Sequence, residues 1–206
     1  THYMNAAREM PDELDKSAPG DALKRHDAIY NAIASLERVR VAELGARKGK
    51  GGTLETETDK KFTEALTLYS QLYPNDPALP DLFFRQGKLY YDYQVDDSAV
   101  KLWGTMLEKW PHDSHAQMAG ELIIDSFVKS KNYENIEQWA RKLKTYQAFS
   151  DAKHQQKLEE LIVQAMFKQG EQKAQANDHA GATAAYLRAA KEYPKDPRAA
   201  QAAVSA

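Results

Sequence analysis

Cysteine is absent from the 206-residue chain, which excludes disulfides, thiolate zinc sites and thiol nucleophiles. That absence suits an envelope protein avoiding wrong disulfides as well as a cytosolic one, so it does not choose a compartment. No stretch approaches the roughly 18–20 consecutive apolar residues of a membrane span, and the opening THYMNAAREMPDELDKS lacks the apolar centre of a signal peptide. A surplus of one charge is also missing. The 28 Lys and Arg against 30 Asp and Glu leave −2, with no overall basic field to recruit nucleic acid or an acidic membrane surface. There is no GxSxG, no HExxH and no glycine-rich nucleotide fingerprint, and no Ser, His and Asp set declares itself, so nothing argues for an enzyme.

What is present is an ordinary hydrophobic fraction of 42%, enough for one sizeable core or one extended repeat array. The chain opens at Thr1 without an initiator Met and stops in RAAQAAVSA, which reads as helical; a fragment or processed form is expected.

Self-similarity organises the rest. Residues 83–111 carry Phe83, Gln86, Gly87 and Tyr90, then Ala99, Trp103, Met106 and Pro111. Residues 166–194 carry Met166, Gln169, Gly170 and Lys173, then Ala182, Tyr186, Ala189 and Pro194 at the same spacings. Gly87, Gly170, Ala99 and Ala182 are expected to let paired helices approach closely, with Trp103 and Tyr186 filling the space between successive pairs. YPNDP at 73–77, WPHDS at 110–114 and YPKDP at 193–197 read as one recurring turn, in which proline ends a helix and Asp caps the next. Between the two good copies, GELIIDSFVKSKNYENIEQWARKLKTY reads as helix, turn at Lys131-Asn132, helix. Ile124 and Phe127 are expected inward on the first helix, and Ile136, Ala140 and Leu143 on the second. The following first helix is extended, with Leu158, Leu161, Ile162 and Ala165 as its apolar stripe.

Nearer the front, residues 21–44 read as a helix capped by Asp21, with Ile29, Ile33, Leu36 and Val39 in helical spacing. GARKGKGG, residues 45–52, interrupts it, and a second helix resumes with Phe62 where a small residue is usual. An end unit with one solvated face tolerates such a departure.

These residues resemble the tetratricopeptide repeat family over residues 57–197. The chain then divides into an N-terminal helical segment, 1–56, with the glycine-rich basic linker; the array, 57–197; and the start of a further helix, 198–206. The resemblance implies an all-α fold: a right-handed α-solenoid of antiparallel helix pairs whose first helices line a concave groove. It implies a non-enzymatic scaffold that binds a peptide or helix of another protein, without a cofactor. The long helices and YPxDP turns are similar to bacterial envelope versions, such as outer-membrane assembly lipoproteins, Tol-Pal accessory proteins and motility-complex lipoproteins. That implies a periplasmic or envelope-associated protein, with a cytoplasmic one as the alternative.

The groove positions are Phe84, Lys88, Tyr91 and Asp92, then Glu121 and Asp125, then Phe167 and Glu171. The Lys and Asn carboxylate clamp of chaperone-binding members is missing there. Aromatic anchors with mixed charge suit an amphipathic helix or an extended segment carrying basic residues. In LFFRQGKLYYDY, residues 82–93, Phe83 and Tyr90 are expected in the core while Phe84, Tyr91 and Asp92 turn to the groove. Packing of the same aromatics on a neighbouring repeat is the competing reading.

Three other features are weighed against plainer explanations. His112, Asp113 and His115 could ligate a metal, but a site needs three or four ligands and solvated turn residues suffice. Arg47-Lys48-Gly49-Lys50 is not a Walker motif and reads as a flexible linker. With Arg38 and Arg40 it would supply charge for a nucleic-acid or lipid sensor, the last-ranked reading. Self-assembly through the ends or outer face is the main alternative to partner binding.

Overall fold

The structure, a computed structural model, describes residues 19–46 and 56–198. Within them all regular structure is helical: α1 Pro19–Ala46, α2 Glu57–Leu72, α3 Leu79–Asp92, α4 Asp96–Lys109, α5 Ala116–Lys129, α6 Tyr133–Leu143, α7 Ala152–Gln175 and α8 His179–Glu192, with a short 3-10 turn Gln147–Phe149 before α7. Asp21, expected as a cap, lies inside α1, and Gly45 and Ala46 still belong to that helix. The rest of the basic linker, including Arg47, Lys48 and Lys50, lies outside the described residues, as does the expected helix beyond Arg198.

Two turns recur. Between α3 and α4, α5 and α6, and α7 and α8, one residue crosses to the left-handed region: Gln94 (φ 59°), Lys131 (φ 52°) and Asn177 (φ 60°). At each crossing the next residue's N–H reaches back to a carbonyl in the last helical turn. These bonds run Val95 to Tyr90, Asn132 to Phe127 and Asp178 to Lys173, each 2.9 Å. The crossing residue itself bonds the carbonyl of Tyr91, Val128 or Ala174 at 3.0–3.1 Å. This double closure satisfies helix-end carbonyls and turns the chain back at once.

The proline turns repeat as well. The Asp76, Asp113 and Asp196 N–H groups donate to the carbonyls of Tyr73, Trp110 and Tyr193 at 3.0–3.1 Å. Their side chains accept from the N–H of Ala78, His115 and Arg198 at 2.8–2.9 Å. Asp76 and Asp113 are therefore not the caps of the next helix. They close an Asx turn onto the residue that occupies the cap position, Ala78 or His115, which has no capping side chain of its own.

The chain divides into two compact units at Leu102 and Trp103, within α4. In the first, α1 packs on α2 and α2 on α3. α2 opens with a capping box: Thr56 Oγ1 accepts from the Asp59 N–H and Asp59 Oδ2 from the Thr56 N–H. Its buried face is Phe62, Ala65, Leu66 and Tyr69, against Ile29, Ala32 and Ile33 of α1. Each large member contributes about 1.5–3 kcal/mol by leaving water. Val39 does not continue the α1 stripe: it is exposed, and Arg40 is buried in its place. The row through Ile29 and Ile33 meets Arg40 at the next turns, and the guanidinium lies over the Phe62 ring at 5.6 Å. On α3 the core residues are Leu79, Leu82 and Leu89, whereas Phe83 and Tyr90, expected inside, are half-buried.

In the second unit α6 packs on α5 and α7, and α7 on α8. Ile136, Ala140 and Leu143 are buried as expected, and Ile123 takes the inward place given to Ile124. Leu158, Ile162 and Ala165 are buried as read, with Val163 and Met166 beside them, while Leu161 is half-buried. Tyr186 fills its own pair: its ring atoms would stand 2.4–2.8 Å from a Cβ at Gly170. Phe149, from the 3-10 turn, does the same at Gly120, where a Cβ would meet its ring at 2.5 Å and Leu143 at 2.7 Å. That turn ends the α5/α6 pair without a proline, and the Gln155 amide fastens it to α7 by donating to the carbonyls of Lys144 (3.0 Å) and Phe149 (2.8 Å).

Two substitutions test this packing by chemical denaturation. Gly120→Ala is expected to destabilise the second unit by about 1–2 kcal/mol, overpacking against Phe149 outweighing the gain in helix propensity. Lys131→Gly removes the left-handed penalty at an exposed turn and is expected to stabilise by about 0.5–1 kcal/mol. A neutral Gly120→Ala would mean that Phe149 does not lie on α5 as described.

Candidate functional site

The residues expected to line a groove fall on both units. In the first, α3 places Lys88, Tyr91 and Asp92 together. The Lys88 ammonium lies 5.1 Å from the Tyr91 ring centre and donates to Asp92. Asp92 Oδ2 also faces Arg40 Nη1 at 3.7 Å. Arg40 is only 3% exposed, and its Nε and Nη1 have no hydrogen-bond acceptor, so of the two arginines considered for a charged sensor only Arg38 reaches the surface. One turn earlier on α3, Arg85 bridges Glu37 of α1 and Asp81 of its own helix. Phe84 and Tyr91 are half-buried, which leaves partial aromatic surface rather than fully open rings.

In the second unit the acidic candidates are matched locally. Asp125 pairs with Lys129 at 2.8 Å and Glu171 with Lys168 at 2.5 Å, each on its own helix. Glu121 accepts from Gln117 Nε2 at 3.2 Å, and its carboxylate is 4.0 Å from His154 Nε2 at the start of α7. Phe167 is closed off: it is 6% exposed, with the Tyr186 ring centre at 6.4 Å and the Arg198 guanidinium over its face at 5.2 Å. Arg198 is itself fixed by Asp196 through two 2.8 Å hydrogen bonds.

Polar groups that the sequence did not point to lie deeper. Glu137, one turn into α6, is 5% exposed. Its Oε1 accepts from Arg141 Nε and Nη2 (3.1 and 3.0 Å), and its Oε2 from Gln169 Nε2 (2.8 Å) and Arg188 Nη2 (2.7 Å). Arg141 extends the chain to Glu192 at 2.6 Å. That hydrogen bond holds the Glu192 carboxyl below its ordinary range and, with the Glu137 bond, raises Arg141. The network ties α6 to both helices of the last pair. In the first unit Asp59 is fully buried and its Oδ2 also accepts from the Tyr93 hydroxyl at 2.6 Å, at the end of α3. Both carboxylates lie in runs of mixed charge, where sequence offers no sign of which acid turns inward.

The WPHDSHA segment forms a turn rather than a ligand set. Asp113 Oδ1 accepts from the backbone of His115 at 2.8 Å and faces its Nδ1 at 2.9 Å, while His112 is exposed. Among the described residues no group of three or more His, Asp or Glu side chains is placed to hold a metal, and no helix is long and apolar enough to cross a membrane.

No family model and no curated protein sequence matches the chain.

Removing the central acid tests the inner network. Glu137→Ala leaves two arginines facing a hole and is expected to cost about 2–3 kcal/mol, below the cost of a fully buried pair because Arg141 and Arg188 stay partly in water. Glu137→Gln, which keeps acceptor and shape, should cost less. Urea denaturation monitored by circular dichroism separates the two, and equal losses would mean that the carboxylate charge alone, not acceptor and shape, holds the network.

Proposed function

We propose that the chain is a non-enzymatic protein-interaction scaffold of the tetratricopeptide type, a right-handed solenoid of helix pairs that receives a peptide or helix from a partner protein along its first helices. The observation that carries this reading is the threefold recurrence of the same two turns. On the tetratricopeptide reading, pairs joined this way would present their first helices in series, which suits extended contact better than a single enclosed pocket.

The α3 face supplies the centre of the contact. Phe84 and Tyr91 retain partial exposure, and the Lys88 ammonium lies over one face of the Tyr91 ring. Asp92, Asp125 and Glu171 each have a lysine within one turn of the same helix, so their charge is largely cancelled before a partner arrives. Affinity then rests on aromatic burial, and charge tunes orientation. Glu121, at the Gln117 and His154 edge, remains the exposed acid for a basic residue of the ligand. The setting proposed is a bacterial envelope complex, in keeping with the versions its long helices and YPxDP turns resemble.

Affinity capture from native extract with the wild-type chain and a Phe84→Ala, Tyr91→Ala double variant tests the proposal, after circular dichroism has established that both are helical. A protein retained by the first should bind the second roughly tenfold or more weakly. Equal recovery, or recovery of the chain alone with a light-scattering mass above one copy, would sink the groove reading in favour of self-assembly.

A further inference from the structure

His26 lies on α1 beside the end of α2 and the turn that follows it. Its Nε2 is 2.9 Å from Asp76 Oδ2 and 2.6 Å from the Tyr69 hydroxyl, and its Nδ1 is 3.2 Å from Asp27 Oδ1. Three tyrosines surround the ring. Tyr30 stacks at 6.5 Å and 7°, Tyr69 is tilted at 5.3 Å, and Tyr73 stands edge-on at 5.0 Å. An ionised carboxylate only accepts hydrogen bonds, so a carboxylate at each ring nitrogen is satisfied only when both nitrogens carry hydrogen, which is the imidazolium.

We propose that His26 is a proton-operated latch: as imidazolium it fastens the front of α1 to Tyr69 and to the Asp76 turn, and loss of its proton frees that part of α1 from α2. The facing groups come from every neighbouring element: Asp27 and Tyr30 from α1, Tyr69 and Tyr73 from α2 and its end, and Asp76 from the turn. Partial burial of the ring works against its charge. The hydrogen bonds to Asp27 and Asp76 and the field of both carboxylates outweigh it, and the His26 pKa is raised above 6.5. Asp76 is held below its usual range: burial opposes ionisation, but the Ala78 N–H, His26 and Tyr69 overcome it. Burial first, then the hydrogen bond to Asp76, pushes Tyr69 well above the ordinary phenol range, so it stays neutral and does not compete as a base. Because the folded-state pKa is the higher one, the latch is complete below the unfolded value near 6.5 and is lost as pH rises through the folded value.

The test uses the full chain. Titration of the His26 ring resonance by NMR, assigned by its loss in His26→Gln, should give a pKa above 6.5, and Asp76→Asn should lower it. Asp76→Asn keeps an oxygen for the Ala78 N–H and so preserves the turn. Hydrogen exchange, expressed as protection factors, should show residues 25–33 losing protection between pH 6 and 8.5 in the wild type and not in His26→Gln. A His26 pKa at or below 6.5, unchanged protection in the wild type, or the same loss in His26→Gln would overturn the latch. If His26→Gln does not fold, the wild-type titration and Asp76→Asn still decide. None of these readouts involves a bound partner, so the latch and the scaffold reading fail separately.

Discussion

Two helices can follow one another antiparallel, without a long loop, only where the chain reverses within a couple of residues. Here that reversal is a single left-handed residue, at Gln94, Lys131 and Asn177. None is glycine, so each position carries a conformational cost of about 1 kcal/mol. The backbone bonds that close the preceding helix offset it. The residue after the reversal then starts the next helix: Asn132 and Asp178 cap α6 and α8 by accepting from the N–H of Asn135 and Gly181. The entry direction of each second helix is thus set within a few residues of local sequence. The Asx turns at Asp76 and Asp113 set it for the next first helix in the same way.

Local turns fix direction but not sliding, and here the buried carboxylates act. Apolar contacts such as Ile136 or Ile162 are nearly indifferent to small displacements, whereas hydrogen bonds to charge are steep in distance and angle. The Tyr93 hydroxyl reaches Asp59 only with the end of α3 at one height beside α2. Glu137 collects donors from α6, α7 and α8 on its two oxygens, and a shift of any of these helices would strand one of them. Desolvation absorbs most of the stability such groups could add. Their effect is on register within each unit.

The all-helical class, the proline turns and the reversal at Lys131-Asn132 were legible because each rests on chemistry local in sequence: proline removes a donor, Asp and Asn close short turns, and alternation at helical spacing marks a buried stripe. What failed needs information from a second helix. Arg40 is inside and Val39 outside because Phe62 lies opposite and accepts a cation over its ring. The aromatics of α3 yielded the core to Leu82 and Leu89 since the face toward α2 is set by packing, not by residue size. Tyr186 could as well have filled a gap between pairs, and only the open face of Gly170 draws it into its own. Of the candidate site, the gathering of Lys88, Tyr91 and Asp92 on one helix was legible from spacing. The covering of Phe167 by Arg198 was not, because the turn that delivers Arg198 comes thirty-one residues later in the chain.

The described part of the first unit contains one histidine; its other paired cations are lysines and arginines. Among the described residues of that unit, His26 is therefore the side chain whose ordinary charge change falls near neutral pH. The same helix, further along, braces the α3 face: Glu37 holds Arg85, and Arg40 faces the Asp92 carboxylate that receives Lys88 beside Tyr91. From His26 to Arg40 is about 21 Å of continuous helix at 1.5 Å per residue, stiff enough to move as one piece. On the proposed readings, the proton at one end and the partner near the other bear on a single rigid element, so α1 is where they would become energetically linked.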